Sequence, residues 1–173
     1  MKVSVVVATN KSTFWERFCD ALSKNNVQVE VLFVGPVGVG KQGLSVPTRF
    51  IDVVDPRIGA VQCWEIGARQ VQGELLCLAT DDCVFTSGVL DAVVVEASLP
   101  HYPFDMFTAR YVHNGIDSLY AQRLWCQEDM PLLPVGGFTF TETHRKLGGL
   151  DRRFHGVFWD ADLYMSMVEA GGV

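Results

Sequence analysis

Residues 3–8 read VSVVVA and residues 27–34 read VQVEVLFV. The first is a continuous β-branched run, the pattern of a strand covered on both faces, as in a parallel sheet between helix layers. The second alternates and then becomes fully apolar. Between them, Phe14, Phe18, Ala21 and Leu22 recur at helical intervals, so residues 13 to 24 are expected to form an amphipathic helix. Thr13 and Glu16 have capping-box spacing at its start, and Asn25-Asn26 ends it. This β-α-β opening places the second strand parallel to the first and makes the start of the chain Rossmann-like.

The pattern continues outward from that unit. Residues 35 to 48 are rich in Gly and Pro and read as a loop; Arg49 to Val54 (RFIDVV) reads as a third strand. Asp55-Pro56 offers an N-cap and a first-turn proline for a helix expected to run to about Gln72, with Gly73 closing it. Leu75 to Ala79 is a further buried strand ending at Thr80-Asp81-Asp82, and Ser87 to Ser98 is a Val-rich helix. From residue 99 the alternation stops. Phe104 to Val112 and Ser118 to Trp125 read as strands around an Asn114-Gly115 turn, and Val135 to Thr139 as another, forming an antiparallel or mixed part of the sheet. Thr141 to Leu147 and Trp159 to Ala170 read as helices stopped by Gly148-Gly149 and Gly171-Gly172.

Size and composition agree with one α/β domain spanning 1–173. The 173 residues are 49% hydrophobic and 20% charged, with a mean hydropathy of +0.19, which excludes a disordered chain. No apolar run approaches the roughly 18 residues of a bilayer-spanning helix, and none resembles a secretory signal; the chain reads as cytoplasmic. A net charge of -6 without basic runs argues against a nucleic-acid partner, so a bound anion is held locally or through a metal. The five cysteines (19, 63, 77, 83, 126) contain no C-x-x-C pair and read as reduced thiols. The four histidines show no metal-ligand spacing and read as ordinary surface or partly buried residues, with only His155 near a candidate site. No G-x-S-x-G elbow appears, and no cysteine has an adjacent histidine.

Three constellations could carry chemistry. Thr80-Asp81-Asp82 stands where a hydrophobic strand stops; in open α/β sheets that end faces the ligand crevice, and adjacent carboxylates there suit Mg2+ or Mn2+. The bland alternative is a solvated turn. Trp159-Asp160-Ala161-Asp162 opens the last helix, where carboxylates serve either as caps or, held rigidly beside a loop, as a general base. Gly35 to Lys41 (GPVGVGK) nearly satisfies the phosphate-loop pattern of a nucleoside-triphosphate kinase or hydrolase. Gln42 replaces its Mg2+-binding hydroxyl, and residues 43–47 (GLSVP) make a poor helix start.

In order, these segments resemble the inverting glycosyltransferases of family two, which have the GT-A fold. VSVVVATN (3–10) is similar to the family's first strand, GELLCLATDD (73–82) to its metal-binding strand, KLGGLDRRF (146–154) to its glycine-glycine-aromatic-aspartate segment and WDADL (159–163) to its acidic pair. The resemblance implies a mostly parallel, mixed sheet between helix layers, with residues 1–98 the nucleotide-binding half and 99–173 the acceptor side. It places Thr9 at the nucleotide, Asp81 at ribose or metal, Asp82 at a Mn2+ or Mg2+ ion bridging the diphosphate of a nucleotide-sugar donor, and Asp160 as the base. The acceptor it implies bears a hydroxyl: a sugar, a lipid-linked sugar or a protein. The chain departs from the family at four places. Gly35-Pro36 stands where a pair of acids is usual, one of them reading the nucleotide base. Thr80 takes the first D-x-D position, predicting weaker metal binding; Trp159 replaces a glutamate and offers a stacking wall for a sugar; and Cys63-Trp64-Glu65 replaces an alanine-arginine-asparagine segment. The Q-x-x-R-W motif of processive members is absent. The chain also ends, at Gly171-Gly172-Val173, where the family continues, which implies a truncated chain or a minimal core. A non-catalytic relative that binds nucleotide or sugar is the remaining alternative.

Overall fold

The computed structural model describes residues 1–100, 105–109, 137–156 and 159–172, together with short strands at 112–113, 116–117, 121–123 and 132–134. Strand β1 (Lys2–Ala8) pairs in parallel with β2 (Gln28–Gly35), which pairs in parallel with β3 (Thr48–Asp52). On its other side β1 pairs in parallel with β4 (Leu75–Thr80). Two strands from the second half complete a six-stranded sheet: β5 (Met106–Phe107) on the edge and, between it and β4, β10 (Phe138–Phe140), antiparallel to both. The sheet order is β3-β2-β1-β4-β10-β5. The shorter strands pair outside this sheet, β6 (Val112–His113) with β7 (Ile116–Asp117) and β8 (Ala121–Arg123) with β9 (Leu132–Pro134), both antiparallel. An antiparallel part of the sheet is present as expected, but among the described residues only β5 and β10 supply it: the strand expected over Phe104–Val112 is divided into β5 in the sheet and β6 outside it, and the one expected over Ser118–Trp125 contributes β8, which pairs with β9. The Asn114-Gly115 turn, His101 and Cys126 lie outside the described residues, as do the outer ends of the strands expected there.

Strand alternation sorts the core into two faces. Val3, Val5 and Val7 of β1, with Val31, Phe33 and Leu75, are covered by Trp15, Phe18 and Leu22 of α1 (Trp15–Leu22) and Leu90 and Val93 of α3 (Val89–Ala97). Val6, Leu32, Val34 and Leu76 face the other way, against Val61, Trp64 and Ala68 of α2 (Ala60–Ala68) and Leu163 and Met167 of α5 (Trp159–Glu169). A short helix α4 (Thr141–Lys146) follows β10. Gly148 and Gly149 turn the chain after it at φ +90° and +81°, with Gly149 N–H donating to His144 O at 2.9 Å, the left-handed stop expected of a Gly pair. Gly171 ends α5 in the same way, at φ +93°.

Several local expectations are corrected. The Thr13–Glu16 capping box does not form: Ser12–Phe14 is a 3-10 turn and α1 begins at Trp15. The helix expected from Asp55 to Gln72 is only Ala60–Ala68. Asp55 is not its cap, because its carboxylate takes the backbone N–H and guanidinium of Arg57 in a separate turn. Gly59, extended at ψ -178°, is the N-cap instead, and the Gln62 side chain receives its N–H at 2.9 Å. The phosphate-loop reading also fails. Residues 36–47 pass from β2 to β3 without a helix, so the N-terminal amide cradle that such a loop requires is missing, and Lys41 pairs with Glu16 at 2.9 Å.

The lower, N-terminal end of the sheet is tied by one buried carboxylate. Glu30 accepts from Ser4 Oγ and Gln72 N–H, both at 2.6 Å, and pairs with Lys2 at 3.1 Å. Burial alone would raise its pKa, but these donors and the lysine hold it below the ordinary glutamate value. The opposite end, where the parallel strands finish, carries the candidate site.

Candidate functional site

Pairing of β1 with both β2 and β4 aligns three strand ends. Ala8 lies opposite Val34 on one side and Thr80 on the other, so Thr9 emerges between Gly35 and Asp81. Thr9 is buried, its N–H donates to Val34 O at 3.0 Å, and its hydroxyl donates to Asp81 Oδ2. Trp15 Nε1, from the first turn of α1, donates to the same hydroxyl oxygen at 2.9 Å. This chain of donors fixes the buried Asp81 carboxylate against the end of β1. The structure therefore brings Thr9 and Asp81, both selected from the sequence, into direct contact.

Asp82 is exposed, its Oδ1 accepting from the Thr80 hydroxyl. Thr80 thus orients Asp82 instead of adding a carboxylate beside it. Among the described residues no three His, Cys, Asp or Glu side chains gather into a cation site. The donor set of one exposed and one buried carboxylate suits an ion that arrives with phosphate oxygens, since Mg2+ characteristically binds through one or two carboxylates plus substrate phosphates. It does not suit a resident ion caged by protein.

Asp160 is half-buried in the first turn of α5, with Ala161 N–H donating to its Oδ1 at 3.0 Å. It lines a narrow cleft with Leu76 and Leu78 of β4, Thr139 of β10, Met106 of β5 and its neighbours Trp159 and Leu163. Asp160 therefore sits beside the strand that ends in Asp81 and Asp82, though on the α2 and α5 face of the sheet. Trp159 does not stand alone as a wall: it packs on Trp64 with ring centroids 4.7 Å apart, and Trp64 Nε1 donates to Ala79 O at 2.7 Å. The indole pair links the start of α5 to the end of β4.

The residues that position the Gly148–His155 loop escaped sequence reading. Glu65, 2% exposed, receives Leu150 N–H at 2.9 Å, His144 Nε2 at 3.1 Å and Arg69 Nε at 2.7 Å. Burial alone would raise its pKa, but the His144, Leu150 and Arg69 donors outweigh it and hold the carboxyl below its ordinary value. The backbone passes so close that a Cβ on Gly149 would lie 2.4 Å from Glu65 Oε2. His144 is thus not the ordinary surface or partly buried histidine expected: it is buried, and its Nδ1 has no partner among the described residues. Further along, Gln62 Nε2 donates to Arg152 O at 2.7 Å and approaches His155 Nδ1 at 3.3 Å. Glu65, the one charged residue in the mostly apolar run AVQCWEIGA, was the available signal, because a charged residue on a packed helix face needs partners.

No protein-family model matches the chain, and no curated protein matches it in sequence. Solved structures do match. S. aureus TarS aligns with a TM-score of 0.68 and 16% identity over 96% of this chain and 33% of its own. A TarS structure of residues 1-349 in complex with UDP-GlcNAc aligns at 0.67 and 15%, over 96% of this chain and 54% of its own. The mannosyltransferase PcManGT of Pyrobaculum calidifontis, in complex with GDP-Man and Mn2+, aligns at 0.66 and 12%, over 98% of this chain and 52% of its own. The chain thus spans between a third and just over half the length of these structures. At such identities the likeness shows the fold, which is the α/β GT-A fold with a mostly parallel sheet between helix layers.

Proposed function

We propose that the chain is a nucleotide-sugar glycosyltransferase that moves one sugar to a hydroxyl acceptor with inversion. The observation that carries the reading is the Thr9–Asp81 contact at the adjoining ends of β1 and β4, with Asp82 exposed beside it. In this reading Thr9 and Asp81 hold the nucleoside, Asp82 holds a Mn2+ or Mg2+ ion on the diphosphate, and Asp160 takes the proton of the attacking hydroxyl. A divalent ion, when bound, neutralises the departing diphosphate. Residues 1–98 supply the nucleotide half and 99–173 the acceptor side. The nucleotide sugars bound by TarS and PcManGT support the reading by analogy of fold.

The packing of Trp159 on Trp64, next to Asp160 in the chain, supports this placement of the base at the start of α5. Among the described residues no helix is long and apolar enough to cross a membrane. Asp160→Asn tests the assignment: sugar transfer should fall to background while nucleoside-diphosphate binding in Mn2+ stays within about twofold of wild type. Full transfer by that variant would remove Asp160 from the mechanism. Nucleotide binding with no donor turnover by the wild type would instead support the non-catalytic alternative.

A further inference from the structure

We propose that Asp52 reads the base of the bound nucleotide and selects bases that present a ring N–H. The inference rests on the nucleotide reading above. Asp52 is the last residue of β3, and the parallel register sets it directly opposite Gly35, the last residue of β2. With the strand order β3-β2-β1-β4, the ends form one row: Asp52, Gly35, Thr9, Asp81. Three spacings of about 4.8 Å separate the outer two strands, roughly 14 Å in all. That is room to lay a base at one end of the row and a diphosphate at the other, by Asp82.

The floor between Thr9 and Asp52 is bare backbone by necessity. Gly35 has φ +151°, and a Cβ there would lie 2.0 Å from Thr9 O, so position 35 cannot carry a side chain. Beside this floor the Asp52 carboxylate is exposed but anchored: Oδ1 accepts Gly38 N–H at 2.9 Å, and the adjoining Val53 N–H donates to Gly35 O at 2.8 Å. Other aspartates are already engaged. Asp55 and Asp151 are chelated by Arg57 and Arg153, and Asp91 holds the backbone of Asn26 and Val27. Among the described residues no cation pairs with Asp52, which leaves Oδ2 to meet a ligand.

An ionised carboxylate only accepts hydrogen bonds. Uracil and guanine bring a ring N–H to the edge that meets it; adenine and cytosine bring a bare ring nitrogen whose lone pair it repels, beside an exocyclic amine that can still donate, so the preference rests on the ring position. Discrimination on the order of tenfold to a hundredfold follows from one such contact.

Calorimetric titration of the full chain with UDP, GDP, ADP and CDP in Mn2+, and with the N3-methyl and N1-methyl forms of UDP and GDP, tests this. The wild type should bind UDP or GDP at least tenfold more tightly than ADP or CDP, and methylation of the ring nitrogen should erase the advantage. Asp52→Asn, whose amide oxygen can still take the Gly38 N–H, and Asp52→Ala should both flatten the preference while leaving ADP affinity within twofold. A wild type without that preference, variants that keep it, or an Asp52→Asn chain that loses all four nucleotides equally would each overturn the proposal. A wild type that binds no nucleoside diphosphate would overturn the nucleotide reading itself, a different result.

Discussion

Removing the Glu65 carboxylate should cost more stability than any surface change near the site. Glu65→Ala strips the acceptor from Leu150 N–H and from His144 Nε2, both buried, and from Arg69, which is largely exposed. A hydrogen bond to a charged group contributes about 1.5–3 kcal/mol, and breaking a buried charged pair by removing one partner typically costs 3–5 kcal/mol. The exposed Arg69 bond adds little. We therefore expect a loss of about 4 kcal/mol, or roughly 8–16 °C in Tm for a chain of this size. Glu65→Gln keeps the shape and one acceptor for Leu150 N–H, and should lose about half as much. Urea denaturation followed by tryptophan fluorescence measures both. A Glu65→Ala chain within about 1 kcal/mol of wild type would refute the claim that this carboxylate holds the Gly148–His155 loop.

The same network has an acid limb. Glu65 and Glu30 are held below the ordinary glutamate value of 4.5, so their stabilisation is complete above that pH and is lost as the pH falls through their lowered folded values. Unfolding free energy measured from pH 7 downward should begin to fall below about 4.5, and Glu65→Gln should shallow the slope; an unchanged slope would count against it. Gly149→Ala should destabilise more than Gly148→Ala, since both sit at positive φ but only Gly149 faces the Glu65 carboxylate. The expected difference is on the order of 1–3 kcal/mol, read by thermal melting, the scale of overpacking strain. Thr9→Val removes the only hydroxyl donor to the buried Asp81 carboxylate among the described residues. It should cost about 1–3 kcal/mol, and equal stability in denaturation would show the contact is unimportant. Burial raises the Cys19 thiol to about 11 and pushes Cys63 and Cys77 upward as well, so mass mapping after mild alkylation at pH 8 should find these three unmodified in the folded chain.

The first β-α-β unit, β4, α3 and the Gly-stopped α4 and α5 were legible because each is written locally, as an unbroken β-branched run or a helical period with a terminator. Thr9 and Asp81 were singled out through the resemblance to the glycosyltransferases, while their contact rests on the pairing of β1 with β4, which neither run specifies by itself. Where the reading failed, a local signal was used differently by tertiary contacts. Asp55-Pro56 looked like a helix start, yet Arg57 takes the carboxylate and the helix waits for Gly59 and Gln62. Gly35 to Lys41 looked like a phosphate loop because its glycines were judged by spacing; in the fold, Gly35 admits Thr9 O and Gly40 lies against the Phe50 ring. Glu65 and Asp52 were invisible as functional residues for a common reason. Their partners are Leu150 and His144 in one case and the Gly35 register in the other, which only the assembled sheet brings near.

Whether the strand ends at Thr9, Asp81 and Asp82 hold a nucleoside diphosphate with a divalent ion is decided by thermal melting of wild type and Asp82→Ala with UDP or GDP, with and without Mn2+. A ligand at about a hundred times its Kd adds about 2.7 kcal/mol, which corresponds to a rise of roughly 5–10 °C. The wild type should show such a rise with one of these nucleotides, dependent on Mn2+ and absent in Asp82→Ala. No rise in the wild type at millimolar nucleotide, or an equal rise in Asp82→Ala, would contradict it.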